Sequence, residues 1–161
     1  MQAWILPCGR HTCGFPCCIE GPAVFFLVYV SAAVTWFSSA ELRALLVRCR
    51  AHNERAGISG ILLYKDGNFM QVLEGPESEV RALYTRIAAD LRHRGVLTID
   101  SGTADARQFE GWSMAFQDLS AGHEALPAGY SEFLDLPLTD MAYTGTPSRC
   151  QQLLQVFKSI Q

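Results

Sequence analysis

Gly57-Ile58-Ser59-Gly60-Ile61-Leu62-Leu63-Tyr64-Lys65-Asp66-Gly67-Asn68-Phe69-Met70-Gln71-Val72-Leu73-Glu74-Gly75 reads as two apolar strands around a tight turn. The turn lies at Lys65-Asp66-Gly67-Asn68, where Asp-Gly supplies the positive-φ residues that a short hairpin needs. Alternation along the second strand sets Phe69, Gln71 and Leu73 on one face and Met70, Val72 and Glu74 on the other. Gln71 is thereby held between two large apolar neighbours, and a buried amide left unpaired costs roughly 1–3 kcal/mol. It needs a partner, which is either the protein's own backbone or side chains or the polar edge of a ligand.

Working outward, Phe25-Phe26-Leu27-Val28-Tyr29-Val30-Ser31 is a continuous run of β-formers and predicts a central strand, with Tyr29 on the face of Phe25 and Leu27. Ser38-Ser39-Ala40-Glu41 has the capping-box pattern and starts a helix whose stripe is Leu42, Leu45, Leu46 and Cys49. Asn53 continues that stripe in the last turn, and Gly57 is the stop. After the hairpin, Gly75-Pro76-Glu77 opens a second helix with Val80, Leu83, Tyr84, Ile87 and Leu91 inward, and Arg86 and Asp90 four apart on a neighbouring strip. Strands follow at 96–102 and 112–116, the latter with Trp112, Met114 and Phe116 on one face. The order βαββαββ predicts an α+β sandwich of ferredoxin-like type, with two helices on one sheet face. Beyond residue 118 a helix is expected around Glu132. A better one follows Thr146-Pro147, with Leu153, Leu154, Val156, Phe157 and Ile160 as a stripe that covers the open sheet face or pairs with another subunit.

The chain of 161 residues is 49% apolar and 18% charged, enough for one domain with a core and short appendages. A net charge of −3 offers no basic stripe for nucleic acid. No apolar run reaches the roughly 18–20 residues of a membrane span, and a cytoplasmic protein is expected. Four of the six cysteines, Cys8, Cys13, Cys17 and Cys18, crowd the N-terminus beside His11, without the paired spacing of a zinc knuckle, so no metal is expected. The first 22 residues read as an atypical cysteine-rich extension or an upstream start.

His52 and His93 sit near helix ends, and no histidine is paired in sequence with a nucleophile or metal ligands. Tyr29, Asn53, Gln71, Trp112 and Met114 instead bring a phenol, two amides, an indole and a thioether onto elements expected to converge. Such groups suit a flat heteroaromatic ligand with a polar edge.

Tyr29-Val30-Ser31-x-Ala33, Arg50-Ala51-His52-Asn53, the hairpin itself, Asp90-Leu91-Arg92-His93 and Arg107-x-Phe109-x-x-Trp112-Ser113-Met114 resemble, in order and spacing, the BLUF family of blue-light sensors that use FAD. The resemblance runs from about Phe25 to Phe116. It implies a non-covalent flavin, FAD with FMN or riboflavin as alternatives. It implies that Tyr29 donates an electron and proton on excitation, and that rearrangement of the Gln71 amide red-shifts the absorption. Asn53, Arg86 and Asp90, flanked by His52 and His93, would hold the cofactor, and Trp112 and Met114 would carry the signal outward. The domains expected are an extension over 1–22, the flavin-binding unit over 23–118 and a C-terminal helical extension over 119–161. Too little chain follows the sensor unit for a cyclase or phosphodiesterase domain. A non-enzymatic receptor that self-associates and signals to a separate, unnamed protein is therefore expected. The competing readings are a small flavin-dependent oxidoreductase on the same core and a nucleic-acid module, the latter lacking a basic aromatic sheet face.

Overall fold

A computed structural model describes residues 23–119 and 148–159. The first part runs β1 (Val24–Ala33), α1 (Ser39–Ala56), β2 (Ser59–Lys65), β3 (Asn68–Gly75), α2 (Glu77–Ala88), β4 (His93–Ala104) and β5 (Ala115–Asp118), and α3 (Arg149–Ser159) follows. The sheet order is β4-β1-β3-β2-β5, antiparallel except for the β2–β5 pair. The expected βαββαββ order and α+β class are thus found, as a ferredoxin-like core with a fifth strand added beside β2.

Local chemistry explains the elements. The hairpin turns through Asp66 at φ 48° and Gly67 at φ 80°, both in the left-handed region. That is the twist a two-residue connection requires. Ser38 caps α1 through a reciprocal pair with Glu41, and Gly57 ends it at φ 63°. Ser148 and Gln151 make the same reciprocal arrangement at the start of α3. The expected cap, Thr146, and Pro147 lie outside the described residues, as do the expected helix near Glu132, Ile160 and the N-terminal cysteines.

Two apolar layers result. Phe25, Leu27, Tyr29, Leu62, Phe69 and Leu73 pack beneath α1 and α2 through Leu42, Leu46 and Val80. Val28, Ile61, Leu63, Met70 and Val72 pack on the opposite face with Cys150 and Leu154 of α3. The C-terminal helix therefore covers the open sheet face, with Leu153 and Phe157 at its margin. Val156, expected in the stripe, is exposed, and Cys150 and Gln151 are buried instead. Cys150, Gln151 and Leu154 share one face at helical spacing, and Val156, two residues beyond Leu154, points away from it.

Two other expectations are corrected. Helix α2 ends at Ala88, so Leu91 is not on it and stands 91% exposed. Strand β5 starts at Ala115, and the preceding backbone bends at Gly111 with φ 79°. Trp112 and Met114 therefore precede the strand, and strand alternation does not apply to them. Met114 joins the layer under α1 and α2, while Trp112 packs against the layer under α3.

Candidate functional site

Antiparallel register sets Tyr29 of β1 directly opposite Gln71 of β3, and Leu62 of β2 opposite Gln71 on its other side. Facing residues on adjacent strands lie within ~5.5 Å at Cβ, so a phenol and an amide on that face must meet. Tyr29 Oη donates to Gln71 Oε1, and Gln71 Nε2 reaches Met114 Sδ at 3.2 Å. Burial raises the Tyr29 phenol well above its ordinary range, with Cys49 and Tyr84 adding to the shift. It is a neutral hydroxyl at any working pH.

Helix α1 approaches the same point. Asn53, 1% exposed, donates from Nδ2 to the Ser113 carbonyl at 2.7 Å, and Arg50 Nε donates to the Met114 carbonyl at 3.0 Å. With its amide nitrogen so engaged, Asn53 Oδ1 is a buried acceptor with no hydrogen-bond partner among the described residues. A buried acceptor of this kind calls for a donor that the protein does not itself supply.

A cavity of about 340 Å³ opens between α1, α2 and the sheet, and Tyr29, Gln71 and Asn53 line it together with Leu62, Leu83 and Ile87. Apolar walls carrying a few convergent polar groups suit a planar ring. An imide N–H between two carbonyls, the edge of a flavin ring, matches an orphaned amide oxygen beside a second amide. The residues present fit the group.

At the mouth, Arg86 meets His52, and His93 Nδ1 lies 3.1 Å from Ser31 Oγ with its ring 5.0 Å from that of Phe69. Burial lowers the basicity of both imidazoles, and Arg86 lowers His52 further. All of the expected binding residues, Arg86 and Asp90 included, line this cavity. The expected contact between Arg86 and Asp90 is not formed, because the helix ends between them. Asp90 binds Arg92 instead, through both carboxylate oxygens.

The Arg92 guanidinium holds the Asp90 carboxyl down at about 2. Its folded value is depressed, so its contribution to stability is complete above the unfolded value near ~4 and is lost as pH falls through about 2. The pair is partly exposed and therefore weak. The urea midpoint is expected to decline slightly across that window in the native chain. Asp90→Asn should flatten the decline.

Sequence reasoning missed Arg48, Cys49 and Arg92 as lining residues. It also missed the Glu74 network. Glu74, on the opposite sheet face and buried, accepts from the Gln108 and Phe109 amides, while Arg107 binds Ser59 Oγ and the carbonyls of Gly57 and Glu74. A charged residue inside the β3 alternation was the available signal. This network anchors the loop that leads to Trp112 and Met114.

The family model described as BLUF, sensors of blue light using FAD, matches residues 24–115. The photoactivated adenylate cyclase subunit alpha of Euglena gracilis is 37% identical over 83 residues, 52% of this chain and 8% of that protein. The blue light- and temperature-regulated antirepressor BluF of Escherichia coli (strain K12) is 37% identical over 67 residues, 42% of this chain and 17% of that protein. The chain thus spans a small part of these relatives' length. The dark-state structure of BlrB, a BLUF protein, superimposes with a TM-score of 0.57 at 35% identity, over 60% of this chain and 73% of that one.

Proposed function

This chain belongs to the BLUF family, sensors of blue light using FAD, and on that premise we propose that Tyr29, Gln71 and Met114 form its light-driven switch. The hydrogen-bonded line from Tyr29 through Gln71 to Met114, beside the orphaned Asn53 oxygen, carries the reading. When bound, the flavin supplies the blue-light absorption and accepts an electron.

Tyr29 is the donor. Its neutral phenol does not give up the proton first; loss of the electron makes it strongly acidic and drives the proton toward Gln71 Oε1, and electron and proton both return once the amide has rearranged. Gln71 is the element that turns. An amide has a donor and an acceptor end of nearly equal shape, so rotation or tautomerisation exchanges its hydrogen bonds without moving bulk. In the present orientation Nε2 holds the Met114 sulfur. Exchanging the ends removes that donor, a change of roughly 0.5–1.5 kcal/mol delivered to the 112–114 segment, enough to shift a balanced equilibrium. Met114 passes it on directly. Trp112, on the far side of the sheet with the α3 layer, receives it through the shared backbone.

Asn53 holds the ring's imide edge, with Arg86, Asp90, His52 and His93 around the mouth. Asn53→Ala is expected to weaken flavin binding about tenfold, the loss of one buried hydrogen bond with its partner left unpaired, while the light response survives in the fraction that binds. Flavin titration followed by difference spectroscopy checks both parts. Residues 23–118 are the sensor unit, flanked by an extension over 1–22 and by a segment over 119–161 that carries α3.

The receptor is a switch and performs no turnover, and its output passes to a separate signalling protein. No described helix is long and apolar enough to cross a membrane. Self-association finds support in the edge strand β4, which presents Leu97 and Ile99 to solvent. The deciding measurement is an absorption spectrum of the purified protein before and after blue light. A reversible red shift is expected, and a folded protein that takes up no added flavin would overturn the reading.

A further inference from the structure

Beside the ring cavity lies a second groove of about 460 Å³, with Val34, Trp36 and Leu91 on its walls. Arg48 and Arg92 line both spaces and so mark their junction. Trp36 is 68% exposed, and Leu91 and Val34 are likewise turned to solvent. The indole is nonetheless seated: its edge rests on the hairpin turn, where a Cβ on Gly67 would stand 2.6 Å from Trp36 Nε1. The carboxylate in the groove, Glu41, is already engaged by the Ser38 amide and hydroxyl.

The cavity of about 340 Å³ is near the small end of the ~300–1,000 Å³ that ligand pockets span. It suits a three-ring system, and the second half of a dinucleotide has to lie elsewhere. We propose that the groove seats the adenylate half of FAD, with the adenine on the Trp36 indole against Leu91 and Val34, and with the diphosphate held by Arg48 and by the Nη1 end of Arg92, whose Nε and Nη2 stay on Asp90. The inference rests on the sensor reading, because it requires the ring half in the adjoining cavity. Guanidinium groups bind phosphate oxygens strongly and directionally, and an aromatic face accepts any base by stacking. The groove makes the chain selective for FAD over FMN and riboflavin, which lack the adenylate.

The test strips flavin from the full chain and titrates FAD, FMN and riboflavin into the native protein, Trp36→Ala and Trp36→Phe. Native protein should bind FAD about tenfold more tightly than FMN, in line with the stacking of one base. Trp36→Ala should close that gap by weakening FAD alone, and Trp36→Phe, which keeps an aromatic face, should retain most of it. Equal FAD and FMN affinities in the native protein overturn the proposal. So does a Trp36→Ala protein whose FAD affinity is unchanged, which would assign the patch to a protein partner, or one that loses FMN as strongly as FAD. If none of the three flavins binds, the sensor reading fails and this one with it.

Discussion

Blue illumination of the Gln71→Leu protein is expected to leave its flavin absorption unmoved, where the native protein shows a reversible red shift. Leucine fills nearly the same space between Phe69 and Leu73 but has no donor and acceptor ends to exchange. The Tyr29 hydroxyl loses its acceptor and Met114 its donor, which costs roughly 1–3 kcal/mol of stability and leaves the fold intact. Tyr29→Phe removes a single hydroxyl from the other end of the same line and should be equally silent. Flavin affinity in both should change less than about tenfold, since each variant forfeits about one neutral hydrogen bond. Difference spectra on matched flavin-loaded samples decide the matter. A normal shift in Gln71→Leu would contradict the switch even with the flavin bound.

The second large effect is structural. Leu154 is fully buried among Val28, Ile61, Leu63 and Val72. Leu154→Ala is expected to destabilise the chain by about 2–5 kcal/mol through lost burial and the cavity left behind. Leu154→Asp adds an unpaired charge that the layer cannot solvate, and α3 should leave the sheet. The uncovered face is a continuous apolar surface, which favours association. Light scattering should therefore report larger particles, while flavin binding persists, because the cavity lies on the opposite sheet face. Unchanged size and stability would mean that α3 does not hold that layer shut.

What the sequence disclosed follows from how local each signal is. The hairpin, its turn and the facing of Gln71 were legible because strand alternation and Asp-Gly chemistry operate within a few residues. Ser38 and Gly57 bracketed α1 for the same reason. The end of α2 was not legible: Leu91 keeps helical spacing with Ile87, and only the Asp90–Arg92 contact beyond Ala88 shows where the chain turns away. The Trp112 and Met114 faces failed for a similar cause, since period-two reasoning needs a regular strand and β5 begins only at Ala115. The start of α3 is set by the reciprocal Ser148–Gln151 cap, a local signal that stands directly beside the equally plausible Thr146-Pro147. At the site, the Tyr29–Gln71 pair follows from strand facing. The places of Arg48 and Arg92 depend on how α1 and the 89–92 turn converge in space, which no local pattern encodes.

The direct facing of Tyr29 and Gln71 across β1 and β3 also makes the chromophore a witness to folding. Sliding β3 by one residue along β1 would turn Gln71 toward the α3 side and bring Met70 or Val72 to the phenol. Such a misfolded chain would keep its strand content and much of its compactness, so circular dichroism and chromatography would pass it. Its photoresponse would be missing. The fraction of refolded molecules that recover a light-induced shift therefore counts those with correctly aligned strands, an optical assay of register that needs no added label.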